Sequence, residues 1–171
     1  MDDLTLRDAV PADAEAITRF HVRLWRDTYR AIAPDAAMAL LDEARRLPAW
    51  QAALKAPPPQ GAVIALAGAG IVGLVSFGAP SHPVFAGRGE VTHLYVDQAM
   101  RGRGLGARLL ALALGGLHAA GYAGAALAVV TQNPGARAFY RAQGGEEIAS
   151  FQDPGLLWPS DDILVAWDLR G

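Results

Sequence analysis

Residues 90–106 read EVTHLYVDQAMRGRGLG, and no other stretch limits so tightly what the chain can fold into. Glu90 to Val96 alternates β-branched and aromatic residues in the manner of a strand. Gly102, Gly104 and Gly106 follow, interleaved with Arg101, Arg103 and Leu105, and Gly104 to Ala120 then has the composition of a helix. A strand, a glycine loop and a helix start in that order make an anion site. The first amides of a helix have no intrahelical acceptor and carry the positive end of its dipole. Glycines let that backbone turn tightly and approach an anion closely, and arginines add charge.

Two familiar phosphate loops do not fit. A Walker A loop ends in Gly-Lys-Ser/Thr, which is absent, and the dinucleotide fingerprint is GxGxxG where this chain has GxGxG. The pattern that fits is (Arg/Gln)xxGx(Gly/Ala), filled by Arg101, Gly104 and Gly106. It resembles the acyl-CoA pyrophosphate loop of the GCN5-related N-acetyltransferases (GNAT). A second segment, NxxAxxFYxxxG, filled by Asn133, Ala136, Phe139, Tyr140 and Gly144, resembles the other signature of that family. The opening RDAVPADAEAI and the following HVRLWRDTYR are similar to the family's N-terminal segment, so the likeness covers most of the chain.

Length and composition agree with one domain over residues 1–171. At 171 residues and 52% hydrophobic content the chain can bury one α/β core and is short for two. A net charge of −2 and a pI near 6.0 give no basic field for nucleic acid or an anionic membrane, so local charge must do any anion recognition. No cysteine is present, which excludes disulfides, thiolate metal sites and a cysteine nucleophile. MDDLTLRDAV lacks the basic and apolar regions of a signal peptide, and no apolar run approaches the ~18 residues of a membrane span. A cytoplasmic protein is expected. Lys55 is the only lysine and alanine is abundant, the composition of a GC-rich bacterium.

In chain order, the pattern predicts an edge strand at Leu4–Asp8, with Asp8 as the polar residue before a helix running from Ala12 to about Tyr29. Pro34 opens a second helix carrying Met38, Leu41, Leu47, Trp50 and Leu54, kinked at Pro48, and the Pro57–Pro59 run is a surface connector. Ala62–Ala67 and Ile71–Ala79 form a hairpin about Gly68–Gly70. On the helix after the glycine loop, Leu105, Leu109, Leu112 and Leu117 make one stripe and Leu110 and Leu114 another. A helix apolar on two sides should lie under a second element or subunit as well as on the sheet, which makes a homodimer one outcome. Ala123–Val130 reads as a strand covered on both faces, Pro134 to Gly144 as a helix, and Glu146–Phe151 and Ile163–Leu169 as final strands around a 152–162 loop.

The resemblance implies an α/β fold of the GNAT type: a mixed sheet of about seven strands with four main helices, whose central strands Glu90–Val96 and Ala123–Val130 splay apart. It implies acetyl-CoA as co-substrate, with no metal, and a primary amine, small or on a peptide, as acceptor. The pantetheine arm would add to the strand edge at Leu94, Tyr95 and Val96, and the pyrophosphate would sit on Arg101, Gly102, Arg103, Gly104, Leu105 and Gly106. Asn133 and Tyr140 would line the thiol end. By the same likeness Tyr140 is the acid that protonates the leaving thiolate, a task suited to a phenol of pKa about 10. Glu90, at the strand's mouth and through water, is the first candidate base and His93 the second. In a regular strand these two point to opposite faces, and only a bulge would bring them together. His21, Trp25 and Tyr29 are candidate acceptor walls, and Asp161 and Asp162 candidates to attract a cationic amine. Two other readings stay open: a catalytically silent acyl-CoA-binding or interaction domain, and a nucleotide phosphate binder.

Overall fold

The structure is a computed structural model and describes residues 4–171. Its seven strands are β1 (Leu4–Asp8), β2 (Gly61–Ala67), β3 (Gly70–Gly78), β4 (Gly89–Val96), β5 (Gly124–Val130), β6 (Glu146–Asp153) and β7 (Ser160–Asp168). They form one sheet in the order β1-β2-β3-β4-β5-β7-β6, antiparallel except for β4 and β5. The helices are α1 (Ala14–Tyr29), the short α2 (Asp35–Leu40), α3 (Glu43–Ala53), α4 (Leu105–Ala119) and α5 (Pro134–Ala142). This is the mixed fold expected, with four main helices. Among the described residues no helix is long and apolar enough to cross a membrane.

Two cores lie on opposite faces of the sheet. On one, Ile17, Phe20 and Leu24 of α1 and Trp50 of α3 pack on Ile64 and Leu74. On the other, Leu105, Leu109, Leu110, Ala113 and Leu117 of α4 pack on Val75, Val91, Ala125 and Leu127, with Phe139 and Tyr140 of α5 beside them. The two leucine stripes expected on α4 are one broad face centred on Ala113, which is 0% exposed, while Leu112 falls outside it at 46%. A small residue at the centre lets both flanking rows reach the sheet.

Three local expectations change. The segment after Pro34 is two helices where one was expected: the chain breaks at Leu41–Asp42, and Pro48 lies inside α3. There the Arg26 guanidinium donates to the Leu41 carbonyl, and Asp42 caps α3 by accepting from the Arg45 amide at 2.7 Å. Asp8 does not prepare α1; Asp13 accepts from the Val10 amide at 2.8 Å and binds Arg7 through both oxygens at 2.8 Å each. β7 begins at Ser160, so Asp161 and Asp162 are strand residues, not loop residues.

The central opening has a local cause. β4 pairs with β5 only at Gly89↔Ala125 and Glu90↔Ala126. Immediately beyond, the β3–β4 register shifts: Ser76 faces His93 and Phe77 faces Val91, leaving Thr92 as an extra residue. Such a bulge bends its strand and increases its twist, and β4 leaves β5 at that point.

Candidate functional site

The divergence of β4 and β5 opens a cleft of about 960 Å³. Leu94, Tyr95 and Val96 form its β4 wall, with no partner strand on the β5 side after Glu90. At one end lies the glycine loop. Gly102 and Gly104 have φ of 72° and 78°, and a Cβ on either would meet nothing within 4 Å. Backbone conformation, not crowding, therefore demands glycine at both positions. Gly104 is also the N-cap of α4, so the amides after it face the cleft end with the helix dipole behind them. Gly106 is glycine for space: a Cβ there would lie 3.3 Å from the Phe139 ring. Arg101, Gly102, Gly104, Leu105 and Gly106 line the cleft, whereas Arg103 is exposed and stands outside its wall.

The opposite wall is Val129, Asn133 and Tyr140. Asn133 caps α5, its Oδ1 accepting from the Ala136 amide at 3.2 Å. Tyr140 packs edge-on against Trp167 with ring centroids 6.1 Å apart, and burial, then the nearby Tyr29, pushes its phenol well above the ordinary value. Tyr95 is pushed up in the same way, by burial first and then by Tyr29 and Tyr140. Three tyrosines thus surround the middle of the cleft. A thiol's ordinary pKa is about 8.5, so a phenol raised this far donates a hydrogen bond to a thiolate more readily than it gives up its proton.

The bulge at Thr92 settles the facing of the two candidate bases. Val91, Leu94 and Val96 all pack toward α4, while His93 meets His21 of α1 edge-on and Tyr95 meets it at a tilt, at centroid distances of 4.6 and 5.3 Å. Glu90 precedes Val91 and so shares the His93 side, against the regular-strand expectation. Its carboxylate accepts from the Ser81 amide at 2.6 Å, and the residue lies where β4 and β5 are still paired, not on the cleft wall. His93 bonds Ser76 Oγ through Nδ1 at 2.7 Å, and burial, then Arg46, pulls its imidazole down to about 3, leaving a very weak base.

The expected acceptor walls divide. Tyr29 lines the cleft. Trp25 lies behind it, 6% exposed, within a cluster formed with Tyr29 and Trp158 at centroid distances of 5.1 and 5.7 Å. His21 is corrected to a core residue: it is 1% exposed, and its Nδ1 accepts from Trp50 Nε1. Asp162 is buried, bonded to Ser160 Oγ at 2.7 Å, and desolvation raises its carboxyl.

Other cleft residues carry no recognisable sequence signal. Arg23 of α1 donates to Asp97 at 2.9 Å, and both line the cleft. Asp97 Oδ1 accepts from the Ala99 amide at 3.0 Å, so one carboxylate shapes the approach to the glycine loop and ties it to α1. Thr92 and Gln143 also line the cleft, as does Phe139 of the second signature segment. Among the described residues no group of three or more His, Cys, Asp or Glu is placed to hold a metal ion.

Comparison with known proteins adds the following. Residues 21–144 match the family model described as Acetyltransferase (GNAT) family. Among solved structures, the PaiA N-acetyltransferase of Thermoplasma acidophilum in complex with coenzyme A superposes with a TM-score of 0.77 at 16% identity, over 97% of this chain and 99% of that one. YncA of Salmonella typhimurium, solved with its cofactor acetyl-CoA, gives 0.74 at 22% identity over 99% and 95%. The ribosomal-protein-alanine N-acetyltransferase of Brucella melitensis gives 0.71 at 20% over 96% and 99%. A search of curated protein sequences finds no significant match.

Proposed function

The chain belongs to the GNAT acetyltransferase family, and from that premise we propose that it transfers the acetyl group of acetyl-CoA to a primary amine by direct attack in a ternary complex. One observation carries the reading: the glycine loop at the start of α4 and the unpaired edge of β4 are walls of the same cleft. An anion on the loop amides would leave an extended arm free to run along that edge, toward the tyrosines.

In this reading the CoA pyrophosphate takes the amides between Arg101 and Gly106, with Arg101 adding charge. The pantetheine amides pair with β4 at Leu94 to Val96. The amine nitrogen attacks the thioester carbonyl carbon, whose oxygen gains charge near the β4 amides. The C–S bond then breaks, and the sulfur takes the electron pair while Tyr140 donates a hydrogen bond to it. The proton lost by the amine passes to water, with Glu90 as its acceptor at the closed end of the splay. No acyl-enzyme is required, and the chain has no cysteine to form one.

The test is free-thiol release from acetyl-CoA by the purified protein over a panel of amines, alongside thermal unfolding with CoA, ATP and NAD. Thiol release that depends on the amine supports the proposal. CoA binding without release across a broad panel would favour a silent acyl-CoA-binding domain. Stabilisation by ATP or NAD but not CoA would remove the acyl-CoA reading altogether.

A further inference from the structure

We propose that a second pocket, bounded by α3, β2, β3 and β4 and lined by Arg46, binds a small carboxylate. The pocket has a volume of about 210 Å³ and adjoins the main cleft at Thr92 and His93, which line both.

The first argument is an unanswered charge. Arg26, Arg45, Arg46, Arg88, Arg101, Arg103 and Arg108 have no ion pair among the described residues, and of these Arg46 alone has a buried side-chain atom, its Nε, with no hydrogen-bond partner. A buried, unsatisfied donor on a permanent cation is strongly unfavourable unless something answers it. Among the described residues the pocket has no aspartate or glutamate in its lining.

The surroundings sharpen the choice of ligand. Gln60, Ser76 and Thr92 offer neutral polar groups, while Phe77, Leu54 and Ala62 make an apolar wall. The two nearby imidazoles stay neutral: burial, then His93 and Arg46, pull His21 down to about 2, and burial, then Arg46, pulls His93 down to about 3. The pocket therefore carries one positive charge beside a greasy wall. The pocket is much smaller than the main cleft, about 210 against 960 Å³, which suits a carboxylate on a short carbon chain. A planar guanidinium is matched to a carboxylate by its fork of donors.

This carboxylate has two sources. It is either part of the amine acceptor, seated at Arg46 while the amine reaches the cleft past Thr92, or a separate small acid bound behind β4. Only the first rests on the acyltransferase reading.

The experiment titrates wild-type protein and Arg46→Met with sodium propionate, using sodium chloride at matched ionic strength and propionamide as controls. Two readouts are used: the thermal midpoint, and the NMR resonance of the Arg46 Nε–H. A saturable rise in midpoint with propionate alone, lost in Arg46→Met, supports the site. Arg46→Met should fold, since methionine replaces an unanswered charge with an apolar chain. If it does not, a saturable shift of the Arg46 Nε–H in wild type with propionate and not chloride supports the site by itself. No saturable response, or the same response with chloride or in Arg46→Met, overturns it. A second arm compares turnover of β-alanine with ethylamine, which differ by the carboxylate. A preference for β-alanine that falls about 10- to 100-fold in Arg46→Met, the scale of a charged hydrogen bond, assigns the carboxylate to the acceptor. Propionate binding without such a preference assigns it to a separate ligand. Failure of all turnover would leave the propionate result intact.

Discussion

Trp50 Nε1 donates to His21 Nδ1 at 3.0 Å, joining α3 to α1 beneath the sheet. Because Nδ1 accepts, the imidazole is neutral and its proton sits on Nε2. The rings of His21 and His93 are 4.6 Å apart, so charging one penalises charging the other.

Acid should therefore unfold this protein early. His21 and His93 are held near 2 and 3 in the folded state against an ordinary 6.5. Between those values the unfolded chain binds protons that the folded chain refuses, so stability rises with pH and is lost as pH falls below about 6.5. Well inside the window each imidazole contributes a slope of about 1.4 kcal/mol per pH unit. Urea titrations from pH 7 to 4 should show this fall, and His93→Gln should reduce its slope. A slope unchanged by that substitution would exclude His93 as a source.

Asp97 predicts a second, smaller acid effect. The Ala99 amide and the Arg23 guanidinium hold its carboxyl below the usual 3.8. Its contribution is complete above that value and disappears as pH falls through the lower folded value. Asp97→Asn keeps an acceptor for the Ala99 amide and removes the ion pair. The loss should be no more than about 1 kcal/mol, because Arg23 is half exposed. Equilibrium denaturation measures that loss, and calorimetry should show weaker CoA binding because the loop's tie to α1 is released.

Gly104→Glu tests the anion site. The substitution puts an L-residue at a φ of 78°, which costs roughly 1–2 kcal/mol, and a negative charge at the start of α4. The protein should still fold, since the position faces open space. CoA should no longer shift its thermal midpoint. Retained CoA binding would move the pyrophosphate elsewhere.

Tyr140→Phe separates hydrogen-bond donation from packing. The ring keeps its place against Trp167, so CoA affinity by calorimetry should not change. Losing one hydrogen bond to a developing thiolate should lower kcat by about 10- to 100-fold. An unchanged kcat would take Tyr140 out of the reaction.

Glu90→Gln asks whether Glu90 accepts the amine's proton or only anchors the 80–89 loop. Glutamine can still accept from the Ser81 amide, so the loop should hold. A fall in kcat of about 100-fold, with the basic limb of the pH profile retained, fits general-base loss. Unchanged turnover would leave Glu90 an anchor.

Much of the molecule was readable from local patterns. The strand before the glycines, the helix after them and all seven strands follow from periodicity and breakers. The cleft residues Arg101, Gly104, Gly106, Asn133 and Tyr140 stand in two short segments whose spacing is itself the signal. Misreadings arose where an outcome depended on a distant segment. The apolar pattern after Pro34 reads as one helix, but the chain breaks at Leu41–Asp42, where Arg26 of α1 reaches the Leu41 carbonyl. His21 looked like a pocket wall because it shares α1 with Trp25, but Trp50, 29 residues on, claims its ring.

By itself, then, the sequence determined the elements, the anion loop and the family resemblance, because each depends on residues within one or two turns or strand steps. Tertiary structure alone decided three things. A one-residue register difference between β3 and β4 put Thr92 in a bulge, brought Glu90 and His93 to one face and released β4 from β5. Arg23, 74 residues from Asp97, closed an ion pair at the edge of the cleft. Arg46 came to rest beside two neutral histidines, with no ion pair among the described residues. Strand register and long-range pairing are set by the packing of the whole core, so no window of sequence contains them.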